Sequence, residues 1–236
     1  LRALIEALER SHPPVALQPM AGPDVRAALS GGGPLPEPEI LDAAMTATAG
    51  LPFLVSAVAA ARPTTPADVE RIAFHALVDR VRRLDGRTLE ALLIATLSYD
   101  LGAADVGAAL ELPNDDASAL IDDIRGTGLA GHTLPESFRG AVHQAVARSI
   151  GVSRHREVES ALLQTQLELS TLSGELALRL AEHGLRDHRL VEPLSAGAAA
   201  EHDASWRTRY LRAAVDCGAT DRRAELADAL ALSGDC

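Results

Sequence analysis

Only six of the 236 residues are Phe, Tyr or Trp: three Phe, two Tyr and one Trp. Hydrophobic residues nevertheless make up 47% of the chain. Its cores must therefore be built from Ala, Leu and Val. Ala and Leu are strong helix formers, whereas sheets draw on β-branched and aromatic side chains. The composition predicts a mainly α fold of closely packed helices, and the length allows two or three small domains.

The charge balance removes several functional classes. Net charge is −11, and phosphate-backbone binding needs a local excess of basic residues. All 22 basic residues are Arg, and the chain has no Lys. A Walker A loop needs its Lys to reach the β- and γ-phosphates, so this chain by itself contains no P-loop ATPase. No run approaches 18 apolar residues without a charge, which predicts no membrane span. Cys217 and Cys236 have no CxxC spacing and fit a reducing, cytoplasmic setting better than a disulfide framework. The opening run Leu1, Leu4, Ile5, Leu8 already has helical spacing, so the chain reads as a fragment of something longer.

Turn residues divide the chain. A helix over 1–12 is followed by Val15-Ala16-Leu17, the one candidate core strand. Short helices are expected over 23–29, 37–49 and 53–61, the second closed by Gly50 and the third opened by Pro52. Arg62-Pro63-Thr64-Thr65-Pro66 reads as a linker. Helical spacing resumes at Val69, Ile72, Ala73, Leu77, Val81 and Leu84, and again at Leu89, Leu92, Leu93 and Leu97. A helix over 103–110, a turn at Glu111–Asn114, a helix over 115–125 and a small β-wing over 129–137 follow, and Phe138 to Val146 forms the next helix. Helix, turn, helix and wing is the winged helix-turn-helix layout. From Ser153 on, breaks are expected at Gly174, Gly184, Gly197 and Gly218, and Leu162, Leu169, Leu172, Leu176 and Leu180 form apolar stripes. That pattern suggests stacked TPR-like α-hairpins without a fixed period.

Three stretches in this order resemble the middle of MalT-like, LuxR-family STAND regulators. Thr48-Ala49-Gly50-Leu51-Pro52-Phe53-Leu54 is similar to the family's lid motif, Leu89 to Leu129 to its winged helix, and Phe138 to Val146 to the helix after the wing. The resemblance implies three parts: residues 1–62 as the lid end of a nucleotide-binding domain, 63–150 as a winged-helix domain, and 151–236 as the start of a helical-repeat sensor. It also implies ATP or ADP as cofactor of the full-length protein, though not of this chain alone. The partners implied are the protein's own P-loop domain, its C-terminal DNA-binding domain, a small inducer such as a sugar, and further copies in an oligomer.

By the same resemblance Gly50 and Pro52 lie against adenine, a rigid apolar ring stacking on a π-face. The plain alternative is an ordinary helix boundary. The family's phosphate-sensing His falls on Arg139 here, with His143 one turn on. Arg139 is a stronger and permanently charged phosphate donor. The alternative places Arg139 and His143 on a solvated surface. Trp206 and Tyr210 stand at i, i+4 beside Arg207, a set suited to a sugar or anion; the alternative is core filling between Ala-rich hairpins.

Other chemistries find no support. The would-be recognition helix carries Asp115, Asp116, Asp122 and Asp123 against Arg125 alone, so it should repel DNA. No two of the eight His sit at i, i+3 or i, i+4 with a third ligand nearby, which predicts no metal site. No G-x-S-x-G motif supports a serine nucleophile. The expectation is a non-catalytic piece of a signalling regulator that couples nucleotide state and inducer to oligomerisation and transcription. A protein-interaction scaffold with no nucleotide role is the rival.

Overall fold

The computed structural model describes residues 18–33, 35–131 and 134–233, with the side chains of Leu232 and Ser233 excepted. The expected first helix and the candidate strand at Val15–Leu17 lie outside these residues, as does Cys236. The described residues are mainly helical and contain no strand. They fall into two compact units, divided between Ala76 and Leu77.

In the first unit α1 (Gly22–Ser30), α2 (Pro38–Thr48) and α3 (Pro52–Ala61) pack on one another, and the start of α4 (Pro66–Val81) completes the core. Each of these four helices has Pro at its first or second position, where a missing N–H costs nothing. Val25, Leu41, Ala44, Val55, Val58 and Val69 fill the centre. The helices are short and the side chains small, as an aromatic-poor core requires.

The second unit contains α5 (Gly86–Ala95), α6 (Ala103–Ala109), α7 (Asn114–Gly126), α8 (Glu136–Ile150) and α9 (Val152–Glu168). α5 is its centre: it packs against α6, α7, α8 and α9, and Leu92, Leu93, Ile94 and Leu97 are fully buried there. Asp85 caps α5 by accepting from the Thr88 amide. α6 and α7 pack as a pair through Gly107, whose Cα side faces the Ala117 methyl closely. Gly151, at φ +84°, separates α8 from α9.

The expected β-wing over 129–137 is not a strand pair among the described residues. Gly128 takes a left-handed φ of 74° and Pro135 precedes α8, leaving too few residues for two paired strands. Leu129 and Leu134 turn inward and are buried instead, and the Tyr99 hydroxyl donates to the Leu134 carbonyl at 2.6 Å.

The remaining helices are α10 (Gly174–Glu182), α11 (Val191–Ala200), α12 (Ala204–Asp216) and α13 (Arg223–Ser233), with 3-10 turns at His188–Leu190 and Thr220–Arg222. α10, α11 and α12 pack mutually, and α13 packs on α12. Two sequence expectations change here. Gly197 is not a break but lies inside α11, because the Tyr210 ring from α12 occupies the space its Cβ would need. Leu169 leaves its apolar stripe: α9 stops at Glu168, Ser170 turns to φ +55°, and Leu169 is 59% exposed. Among the described residues no helix is long and apolar enough to cross a membrane.

Candidate functional site

The most concentrated polar chemistry of the second unit lies where α5, α8, α9 and α10 converge. Glu159, on α9, is fully buried. His155 lies one turn earlier on the same helix, and its Nε2 is 3.0 Å from Glu159 Oε1. His143 reaches in from α8, its Nε2 3.6 Å from the same oxygen and 3.3 Å from His155 Nε2. His183, the C-cap of α10, places Nδ1 3.4 Å from that oxygen. The His183 ring stacks on His143 with centroids 3.8 Å apart, and His155 meets His143 edge-on at 5.3 Å.

The chain folds this way because α8 and α9 are joined by a single residue. The Gly151 break turns α9 back so that His155, twelve residues after His143, faces it. The far side of His143 is fixed by α5: its Nδ1 is 3.0 Å from Thr96 Oγ1, and that hydroxyl donates to the Leu93 carbonyl at 2.7 Å. With the hydroxyl proton committed, Thr96 Oγ1 accepts from His143 Nδ1–H, so His143 Nε2 is left with its lone pair aimed into the cluster.

Burial, reinforced by the neighbouring His183, pulls the His143 pKa down to about 3, so this ring is neutral at physiological pH. Burial by itself would raise the Glu159 pKa, but the imidazoles of His155 and His183 outweigh it, and the net direction is downward. The surrounding imidazoles thus favour the ionised form of Glu159. Neither of its oxygens accepts a hydrogen bond of good geometry, and His183 Nδ1 likewise has no hydrogen-bond partner. A buried carboxylate in that condition costs several kcal/mol. Two further contacts brace the same helices: Arg154 Nε donates to Glu90 Oε1 at 2.7 Å, and Gln166 joins α9 to Asp105 of α6 at 2.7 Å.

Of the residues singled out in the sequence, His143 is at the heart of this cluster. Arg139, one turn before it, is also buried, at 5% exposure. Its guanidinium lies 3.8 Å above the Tyr99 ring, and its Nε and Nη1 have no hydrogen-bond partner. Burial, followed by the nearby Arg179, lowers its pKa. The solvated surface considered for these two side chains is therefore corrected: both are interior, because α8 turns this face onto α5.

Gly50 and Pro52 belong to the first unit. Gly50 has φ +71°, and a Cβ there would run into the Met20 carbonyl, whose residue donates its amide to the Gly50 carbonyl at 2.7 Å. Pro52 opens α3. Neither lines the unit's groove of about 680 Å³, which runs from Ala28 and Leu35 to Ala59 and Arg62. The three residues of the expected ligand set diverge. Tyr210 is buried against Gly197, Trp206 carries the Arg209 guanidinium at 4.0 Å, and Arg207 is exposed toward Glu225 and Asp228 of α13.

No protein-family model, curated protein or solved structure matches the chain. The sequence reading set His155 and His183 aside with the other histidines as surface or capping groups, and gave Glu159 and Thr96 no part in a site. A histidine-only spacing rule passes over His155 and Glu159, which stand at i, i+4 and were the one signal available.

Proposed function

We propose that this chain is the non-catalytic coupling segment of an ATP-dependent, inducer-responsive transcriptional regulator of the MalT-like STAND type. In this reading residues 1–62 form a lid over the nucleotide, 63–150 a winged-helix-like module, and 151–236 the start of a TPR-like sensor. ATP and inducer then shift the whole protein from a closed toward an oligomer-competent state.

The observation that supports the reading is Arg139. A guanidinium 95% removed from solvent, with two donor nitrogens unpaired, is an expensive feature in a helical core. It becomes intelligible if the α8 face opens and an anion such as a nucleotide phosphate takes those donors. The exposed Asp115, Asp116, Asp122 and Asp123 on α7 fit a module that packs on neighbours and does not read DNA.

In the protein extended upstream of Leu1, ADP affinity measured by isothermal titration should fall about ten- to hundredfold in Arg139→Ala, the worth of a charged hydrogen bond. An unchanged affinity, or an upstream region without Walker A and B motifs, removes the proposal. One observation favours the rival scaffold reading: His143 is already engaged by Thr96 and the buried cluster, so it is not free for a phosphate.

A further inference from the structure

We infer that His143, His155 and Glu159 form a binding site for one divalent transition-metal ion of the zinc type, with His183 at its edge. The inference rests on the geometry of α5 and α8–α10 and does not depend on the nucleotide reading.

The distances are those a metal would impose. Zinc bonds to imidazole nitrogen and carboxylate oxygen are about 2.0–2.1 Å, so two ligand atoms in a tetrahedron stand about 3.3 Å apart. The three edges here are 3.0, 3.3 and 3.6 Å, between His155 and Glu159, His143 and His155, and His143 and Glu159. All three ligand atoms lie within 4.8 Å of one another. Without a cation this triangle is a poor arrangement. His143 Nε2 and His155 Nε2 share a single hydrogen bond at 3.3 Å, and the buried Glu159 carboxylate has no hydrogen-bond donor correctly directed at it. A cation at the centre accepts the lone pairs and offsets the charge in one step.

The donor chemistry agrees. Two imidazoles and a carboxylate suit zinc and its neighbours in the first transition row rather than Ca²⁺ or Mg²⁺, which take oxygen shells. Thr96 supplies the orienting partner that metal-bound histidines usually have, holding the proton on Nδ1 of His143. Three protein ligands leave a fourth position. His183, 25% exposed, borders the cluster with its Nδ1 3.4 Å from Glu159 Oε1. Occupancy would cross-link α8 to α9 over the Gly151 break and draw α10 onto the joint.

The test is titration of the chelator-stripped chain with Zn²⁺ and, separately, Co²⁺. One equivalent should bind with micromolar or tighter affinity. Co²⁺ should develop the intense visible bands of a tetrahedral site, and Zn²⁺ should raise the melting temperature. Glu159→Gln keeps the shape and removes the buried charge, so it should fold normally and bind at least a hundredfold more weakly. His155→Ala, nearer the surface, provides the second ligand deletion. Thr96→Val should weaken binding about ten- to hundredfold, with Thr96→Ser restoring it. His188→Ala and His202→Ala, both on exposed residues, should leave it unchanged. If the folded wild-type chain binds neither ion more tightly than about 1 mM, or if binding survives in Glu159→Gln and His155→Ala, the site does not exist.

Discussion

A glycine in the middle of α11 looks like a defect until its neighbour is considered. At Gly197 an added Cβ would stand 2.6 Å from Tyr210 Cε1 and 2.8 Å from Cδ1. Gly→Ala in a helix interior should gain about 1 kcal/mol from backbone preference. Forcing a methyl into a filled core costs about 1–3 kcal/mol, and here the obstacle is a buried ring that cannot swing away. Overpacking wins, so Gly197→Ala should destabilise the chain by about 1 kcal/mol. The same substitution in a Tyr210→Leu background should be neutral or stabilising. A double-mutant cycle by urea denaturation measures this, and additive effects would show that Tyr210 does not dictate the glycine. The cycle also weighs the sequence's two readings of Tyr210, since a ring wedged between α11 and α12 is core filling before it is a ligand platform.

At the scale of elements, the sequence disclosed helix positions well because the helix ends are written in Pro and Gly. Pro38, Pro52 and Pro66 each open a helix, and Gly50 and Gly218 follow helix ends at positive φ. Where a glycine served packing, as at Gly197, the same rule misled. The wing failed for a related reason: Leu129 and Leu134 are apolar in a turn-rich segment, which reads equally as strand or as loop tucked into a core. The candidate site was half legible. Motif position singled out Arg139 and His143, but their burial follows from how α8 meets α5, which no local pattern encodes. Capping, by contrast, is local enough to support a quantitative expectation. Asp187 caps the 3-10 turn at His188–Leu190, accepting from the Arg189 amide at 2.9 Å and from its guanidinium at 2.7–3.1 Å. The Arg189 side chain pulls the Asp187 pKa down to about 2 from its usual 3.8. A depressed carboxylate contributes stability above its unfolded-state pKa and loses it as pH falls through the folded value. Asp187→Asn should therefore cost about 1 kcal/mol at pH 7. The gap to wild type in urea titrations should shrink steadily from pH 4 toward pH 2, and a constant gap would mean that the cap does not act through its charge.

For the whole molecule, the question is what the packed α6 and α7 pair can bind. α6 and α7 pack against each other where the sequence suggested a helix-turn-helix, yet electrostatics acts on a surface and not on a topology. Asp115, Asp116, Asp122 and Asp123 are all exposed on α7, while Arg125 there is tied to Asp122 at 3.2 Å. The chain as a whole carries −11, with 33 acidic residues against 22 basic ones. Ordinary non-specific binders owe their affinity, about 10⁻⁴ to 10⁻⁶ M, to counterion release by Lys and Arg, and that driving force is reversed in sign on this helix. Fluorescence anisotropy with a labelled mixed-sequence duplex should stay flat up to tens of micromolar protein, even at low salt where any attraction is greatest. Converting all four aspartates to Asn removes the repulsion without supplying a basic surface, so it should still give no binding. If that variant bound DNA in a salt-dependent way, a basic face elsewhere on the chain would have been held off by α7 alone, and acidity on this helix would be the switch and not the identity of the module.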